Sequence, residues 1–330
     1  MNILLVGLGS IGRRHLANLQ AIAPECDVTI LRHSNSDLVG DPENGIHRIV
    51  YSLEEAVALR PDAAIIATPA PHHVLAGTVL AKERVHLLIE KPLSHSLDGV
   101  YELMETCRRN ELIAMVGYNF RFYRPFKVLR EAIREGRIGK VLSINADVGM
   151  YLPDWRPGAD YRNTVSAQRN LGGGVILELS HELDYVRWFG GEVAEVFAIA
   201  AHVSDLEINV EDLAEIVMTL ENGAVAHVHL DMVRRAIGRS CCIIGSEGVL
   251  TWEWANHQVR LYHAGAGYWT DLCPSGDIDR NEMYFNELRH FLGCVRGAEE
   301  PIVPIEDGLR VLEIALAAKR SSQERKAIAL

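Results

Sequence analysis

The sequence predicts an α/β protein: an N-terminal doubly wound parallel sheet, followed by an α+β domain on an open, mainly antiparallel sheet. Three observations predict it. Over the first 120 residues, short β-branched apolar runs alternate with segments of helical period. A glycine cluster follows the first of those runs, beginning at Gly7. After Gly117 the texture changes to longer runs of alternating polarity, two of them joined by Glu221-Asn222-Gly223, an Asn-Gly hairpin signal. The 330 residues are about twice the ~150-residue prior for one domain, and the change of texture divides them into 1–120 and 121–330.

Residues 3–6 read as the first strand and 11–23 as the helix after it. Residues 28–31, 63–67, 85–89 and 113–116 read as further strands, apolar on both faces as helix-covered parallel strands must be. Helical periods occupy 53–59, 72–83 and 96–110. In the second half a helix over 125–135 precedes strands at 140–152, 193–203, 212–220, 224–233, 239–245, 249–254 and 258–263. Helices over 174–189, 281–295 and 306–321 are expected to cover one face of that sheet. Residues 151–171 carry no period, and a stretch of that length without one inside a compact domain is usually functional or disordered. This one holds Tyr151, Trp155, Arg156, Tyr161, Arg162 and Arg169, a composition suited to gripping a ligand.

Apolar residues at 48% and charged residues at 23% are those of a folded globular chain. With 33 Lys+Arg against 44 Asp+Glu the net charge is -11, which disfavours nucleic acid and anionic membrane as partners. Six cysteines without C-x-x-C spacing suggest neither a zinc site nor a disulfide framework, so no metal is expected. No apolar run approaches the ~18 residues of a membrane span, and the opening residues lack the basic flank of a signal peptide. A cytoplasmic protein is expected.

Gly7-Leu8-Gly9-Ser10-Ile11-Gly12 stands between a strand and a helix, the context that gives G-x-G-x-x-G its meaning. The first glycine permits the tight turn, the second lets a pyrophosphate approach the backbone, and the third lets helix and strand pack closely. An acid at the end of the second strand would select NAD by binding the ribose 2′-hydroxyl. Here Arg32 and Ser34 offer a cation and a hydroxyl instead, which suit a 2′-phosphate and favour NADP over NAD; a solvated surface arginine is the alternative.

Further along stand Thr68-Pro69 with His73, Glu90-Lys91-Pro92 at a strand end, Gly117-Tyr118-Asn119-Phe120-Arg121, and Gly172-Gly173-Gly174 leading to His181-Glu182-Leu183-Asp184. In that order they resemble the Gfo/Idh/MocA oxidoreductases, sugar, inositol and related dehydrogenases with a Rossmann domain and an open-faced sheet domain. The resemblance spans nearly the whole chain. It implies that Thr68, Pro69 and His73 lie beside the nicotinamide ribose and ring, that Trp155-Arg156 approach the cofactor from the second domain, and that His181 is the acid/base. Asn119 and Arg121 are implied near the substrate, and Asp184, one turn after His181, either fixes that histidine or binds the substrate. The loop wording Leu152-Pro153-Asp154-Trp155-Arg156 is similar to that of a subgroup associated with bacterial surface-glycan and nonulosonic-acid pathways.

The residues support these roles independently. Ligands bind outside the carboxyl ends of strands in open α/β sheets, and Lys91 follows such an end. Its ammonium can hydrogen-bond an oxygen that alternates between hydroxyl and carbonyl, with Glu90 to orient it; a strand-end salt bridge is the alternative. A histidine of near-neutral pKa suits proton removal as hydride leaves. Members of the family with an Asp-His pair carry the acid four residues before the histidine. Here Leu177 holds that place and Glu178 stands three before, so Glu178 either supports His181 or caps the first turn. Tyr151, Trp155 and Tyr161 can stack on a sugar ring. Arg156, Arg162 and Arg169 can pair with a carboxylate or phosphate, or anchor their own loop. The expected reaction is hydride transfer between a nicotinamide and a secondary alcohol or ketone of a sugar, nucleotide sugar or sugar acid. A non-catalytic cofactor-binding regulator is the alternative on the same scaffold. The second domain's sheet face is expected to make a homodimer or homotetramer.

Overall fold

The computed structural model describes residues 1–32, 46–276 and 278–330. They form two compact units, Met1–Asn119 with Asn281–Leu312 and Phe120–Arg280 with Glu313–Leu330. The first unit alternates strands and helices: β1 (Asn2–Val6), α1 (Ser10–Ile22), β2 (Asp27–Leu31), β3 (Arg48–Val50), α2 (Leu53–Ala58), β4 (Ala63–Ile66), α3 (His73–Lys82), β5 (His86–Ile89), α4 (Val100–Arg109) and β6 (Ala114–Val116). The sheet order is β3-β2-β1-β4-β5-β6, with every neighbouring pair parallel. Chain order reverses between β1 and β4, which makes the carboxyl ends of those two strands the switch point where ligands bind in such sheets. Residues 3–6, 63–66 and 87–89 are fully apolar and buried because helices cover both faces.

The second unit opens with α5 (Arg124–Arg134) and β7 (Val141–Gly149) and continues through α6 (Val175–Glu178) and α7 (His181–Gly190). Then come β8 (Val193–Ala201), β9 (Leu213–Leu220), β10 (Val225–Asp231), β11 (Gly238–Gly245), β12 (Gly248–Glu253), β13 (Val259–His263) and β14 (Tyr268–Cys273). Helix α8 (Glu282–Val295) and the start of α9 (Ile305–Glu324), to Leu312, count with the first unit, while the rest of α9 and β15 (Ile328–Ala329) count with the second. The sheet has nine strands in the order β14-β13-β12-β11-β7-β10-β9-β8-β15, antiparallel except between β7 and β10. Alternation decides its faces. In β9, Ala214, Ile216 and Met218 turn inward, while Val217 and Thr219 are exposed on the other side. The inner face meets an aromatic cluster in which Phe126 stands edge-on to Trp252 at 4.7 Å and to Tyr185 at 4.8 Å. The outer face leaves Leu142, Phe197, Ile199, Val217, Val225 and Ile244 exposed within this chain.

Four sequence expectations change. Residues 281–312 count with the first unit, not with 121–330 as expected, because α8 packs on α1: Arg14 lies 4.4 Å from the Tyr284 ring centroid and the Asn281 amide donates to Asn18 at 2.8 Å. The expected helix over 174–189 is broken at Leu179-Ser180 into α6 and α7. The unperiodic segment contains four 3₁₀ turns, Leu152–Asp154, Tyr161–Asn163, Val165–Ala167 and Arg169–Leu171. Strands β3, β14 and β15 were not expected at all. Among the described residues no helix is long and apolar enough to cross a membrane.

Candidate active site

The glycine turn lies at the switch point. Gly7 adopts φ +93°, where a side chain would be strained, and a Cβ there would touch the Ala67 carbonyl oxygen at 3.0 Å. A Cβ on Gly12 would fall 2.2 Å from the Gly7 carbonyl oxygen, so only glycine lets α1 approach the turn. Gly9 is the opposite case: among the described residues nothing beyond its own chain neighbours lies within 4 Å of its Cβ position, and no side-chain cap is made to the helix it precedes. The first N–H groups of a helix have no partner within it, and those of Gly9, Ser10 and Ile11 beside open backbone fit a pyrophosphate. The Thr68 hydroxyl, just past the adjoining end of β4, is buried with no hydrogen-bond partner among the described residues. These residues fit a dinucleotide. Arg32 follows β2, half-buried, with its N–H donating to the Val50 carbonyl, and Ser34 lies outside the described residues.

The lysine segment leaves β5 beside that turn. Glu90 points inward: one carboxylate oxygen lies 2.6 Å from Nε2 of fully buried His15 on α1, and the other accepts the Lys91 backbone N–H at 3.3 Å. Glu90 therefore fixes the lysine's backbone. The Lys91-Pro92 peptide is cis, and the Lys91 side chain is half-buried. His73, expected beside the cofactor, is 1% exposed, with Nε2 2.7 Å from the Thr68 carbonyl oxygen and Nδ1 3.0 Å from that of Pro92. Both ring nitrogens thus face protein carbonyls, so His73 links the two loops and presents no nitrogen to a ligand. Burial pushes its pKa below the ordinary histidine value, against the opposing pull of those carbonyls and Glu90.

In the second unit, His181 is the first residue of α7 and remains half-buried. Its ring meets the Phe120 ring edge-on at 4.9 Å. Two buried arginine–carboxylate pairs hold the same turn. Arg239 donates to Glu182 at 2.6 and 2.9 Å, and Arg121 to Asp184 at 2.7 and 3.0 Å. Arg121 was expected to meet substrate and Asp184 to fix His181 or bind substrate, but their side chains are 4% and 0% exposed and engage each other. Glu178 accepts the Ser166 hydroxyl at 2.8 Å, which ties the long loop to α6. Asn119 is buried in the first unit, where it hydrogen-bonds Tyr284.

The loop residues divide. Trp155 is half-buried and its indole N–H donates to the Met150 carbonyl at 2.9 Å, whereas Arg156 is exposed. Tyr151 lies beneath Arg235, whose guanidinium carbon is 3.6 Å from the ring centroid. Arg162 bonds Asp160 and Glu207, and Arg169 donates to the Asn209 carbonyl at 3.2 and 3.3 Å. Sequence reasoning missed His15, Arg239, Tyr284 and Glu287. For His15 and Glu287 the signal was a polar residue on the buried stripe of a helix, His15 beside Leu16 and Leu19 and Glu287 between Met283 and Leu288, whereas Arg239 stands on strand β11.

A parallel sheet whose switch point carries an open, glycine-lined helix N-terminus, with a lysine at the end of a neighbouring strand, defines a dinucleotide-dependent oxidoreductase. The sequence profile described as "Oxidoreductase family, NAD-binding Rossmann fold" matches residues 1–118, and "Oxidoreductase family, C-terminal alpha/beta domain" matches 130–330. The chain belongs to the Gfo/Idh/MocA oxidoreductase family. Myo-inositol 2-dehydrogenase of Thermotoga maritima is 29% identical over 100% of this chain and 98% of that protein. UDP-N-acetylglucosamine 3-dehydrogenase of Acidithiobacillus ferrooxidans is 24% identical over 96% of this chain and 95% of that one. A solved levoglucosan dehydrogenase in complex with NADH shares the fold, with TM-score 0.86 at 19% identity over 100% and 98% of the two chains.

Proposed function

We propose that this protein transfers hydride between a nicotinamide cofactor and a secondary alcohol or ketone of a sugar, nucleotide sugar or sugar acid. The carrying observation is Lys91, half-buried at the carboxyl end of β5, its backbone N–H held by the inward-turned Glu90 carboxylate. The relatives named for myo-inositol and UDP-N-acetylglucosamine support a polyol or sugar-type substrate. Bound nicotinamide would accept or supply the hydride. The Lys91 ammonium would donate to the substrate oxygen as its charge grows, and His181 would take the hydroxyl proton during oxidation and return it during reduction. Gly9, Ser10 and Ile11 would hold the pyrophosphate through backbone N–H groups. Trp155 with Arg156 would approach the cofactor, and Tyr151 and Tyr161 the sugar.

The test is turnover with a panel of polyols and keto sugars. Lys91→Met should lower kcat by about two orders of magnitude or more, and His181→Asn by about 10²- to 10⁴-fold, each with cofactor Kd little changed. Wild-type turnover in Lys91→Met would sink the assignment. Arg32 supports a preference for NADP; a kcat/KM ratio tenfold in favour of NAD would reverse it. The exposed apolar residues of the outer sheet face, Phe197, Ile199 and Val217 among them, support a homo-oligomer, which light scattering would measure.

A further inference from the structure

We propose that Arg239 is a positioning residue for His181, controlling both the helical turn that carries the imidazole and the aromatic ring packed against it. The inference rests on His181 as the acid/base. Arg239 sits near the start of β11, opposite Val148 of β7, in a central part of the nine-stranded sheet. From there its guanidinium makes two contacts that converge on one residue. Its Nε and Nη2 donate to the two oxygens of Glu182 at 2.6 and 2.9 Å, and Glu182 directly follows His181 in the chain. Its guanidinium carbon lies 4.3 Å from the centroid of Phe120, whose ring meets the His181 ring edge-on at 4.9 Å. One side chain therefore restrains the imidazole through its backbone and through its neighbour.

The arrangement is costly as a device for stability alone. Glu182 is 0% exposed and Arg239 15%, and removing two charges from water commonly cancels the attraction between them, so an apolar pair would serve as well for packing. An apolar pair would lack direction. Two parallel N–H···O bonds fix the relative orientation of fork and carboxylate, and the Tyr185 hydroxyl adds a third donor to Glu182 at 3.3 Å. A proton acceptor displaced by about 1 Å can lose roughly 10²-fold in rate. The break between α6 and α7 at Leu179-Ser180 gives the restraint a purpose: His181 begins a new helix, joined to the preceding turn by the backbone bonds from Glu182 to Leu179 at 3.4 Å and from Asp184 to Ser180 at 3.1 Å, and the arginine fork adds a side-chain restraint to these.

Arg239→Lys, the double variant Glu182→Gln with Arg239→Met, and His181→Asn test the idea together. Thermal melting first establishes that each is folded. Arg239→Lys keeps the charge and loses the fork, and kcat should fall about 10- to 100-fold while cofactor Kd and substrate KM change less than threefold. Its pH–rate profile should also shift, because a less fully paired Glu182 carboxylate next to His181 in the chain favours the imidazolium and moves that limb to higher pH; among the described residues Asp184, Arg121, Tyr185 and Glu178 are further ionisable groups on or against this turn. The double variant removes both charges, so it should melt near wild type, keep the low kcat and lack the alkaline shift. A role in stability alone predicts the reverse, with kcat recovering alongside melting temperature. A folded Arg239→Lys or double variant with kcat within twofold of wild type overturns the inference while leaving the acid/base assignment intact. An active His181→Asn overturns that assignment, and this inference with it.

Discussion

Replacing Glu287 by glutamine should change how stability depends on pH, and the structure fixes the sign. Glu287 lies on the buried stripe of α8, is 0% exposed, and among the described residues neither carboxyl oxygen has a hydrogen-bond partner. Burial, reinforced by the neighbouring Glu90 carboxylate, pushes its pKa well above the ordinary glutamate value. The unfolded chain releases this proton near pH ~4.3. Between that value and the raised native one, the folded protein binds more protons than the unfolded one. Stability contributed by the group is therefore complete below the unfolded pKa and declines as pH rises, at a slope approaching about 1.4 kcal/mol per pH unit. Two pH units inside the window correspond to about 2–3 kcal/mol. Glutamine has nearly the same shape and no proton to release. Any fixed cost of leaving its amide unpaired is present at every pH and cancels from the slope. Urea midpoints followed by far-ultraviolet circular dichroism, from pH about 5 to about 8, should show the variant gaining on wild type as pH rises. Parallel curves would refute the reasoning, because they would mean that Glu287 titrates alike in both states.

Asp184→Asn should cost about 3–5 kcal/mol by leaving the Arg121 guanidinium, 4% exposed, without its counter-charge, and converting both residues to leucine and methionine should recover most of that in a denaturant titration. Gly12→Ala places a methyl 2.2 Å from the Gly7 carbonyl oxygen, so the turn must shift, and nicotinamide dinucleotide Kd measured by fluorescence quenching should rise at least about tenfold.

The first unit was readable because its signals are local. A parallel strand covered on both faces is apolar throughout, and β1, β4 and β5 show this; the glycine turn carries its spacing in six consecutive residues. What escaped depends on distant partners. Strands β3 and β15 have three and two residues, too few for alternation to show, and exist because β2 and β8 offer edges to pair with. The register of α8 with its own periodicity was clear, but periodicity does not say which sheet or helix will accept the apolar stripe. Asn18, Asn281 and the Arg14–Tyr284 contact settle that in favour of α1, more than two hundred residues away. The break between α6 and α7 was likewise hidden, since positions 174–189 keep a helical period on both sides of it.

Charge read along a chain is the least reliable guide to a site, and the long loop shows why. Arg156, Arg162 and Arg169 fall within fourteen positions of an acidic chain, which as a sequence suggests an anion-binding patch. In three dimensions Arg162 faces two carboxylates, Asp160 two positions before it and Glu207 forty-five after, and Arg169 closes on the Asn209 carbonyl. An anionic substrate reaching Arg162 would have to compete with two charge-assisted bonds already made, and would leave both acids without that partner. Arg156 is exposed, beside the half-buried Trp155. The positive charge of this loop thus acts mainly on the loop itself, holding four short turns in place over a segment with no regular structure to do so. What the loop would bring to the sugar-type substrate proposed above is a rigid frame for Tyr151, Trp155 and Tyr161, whose rings can meet a sugar without charge.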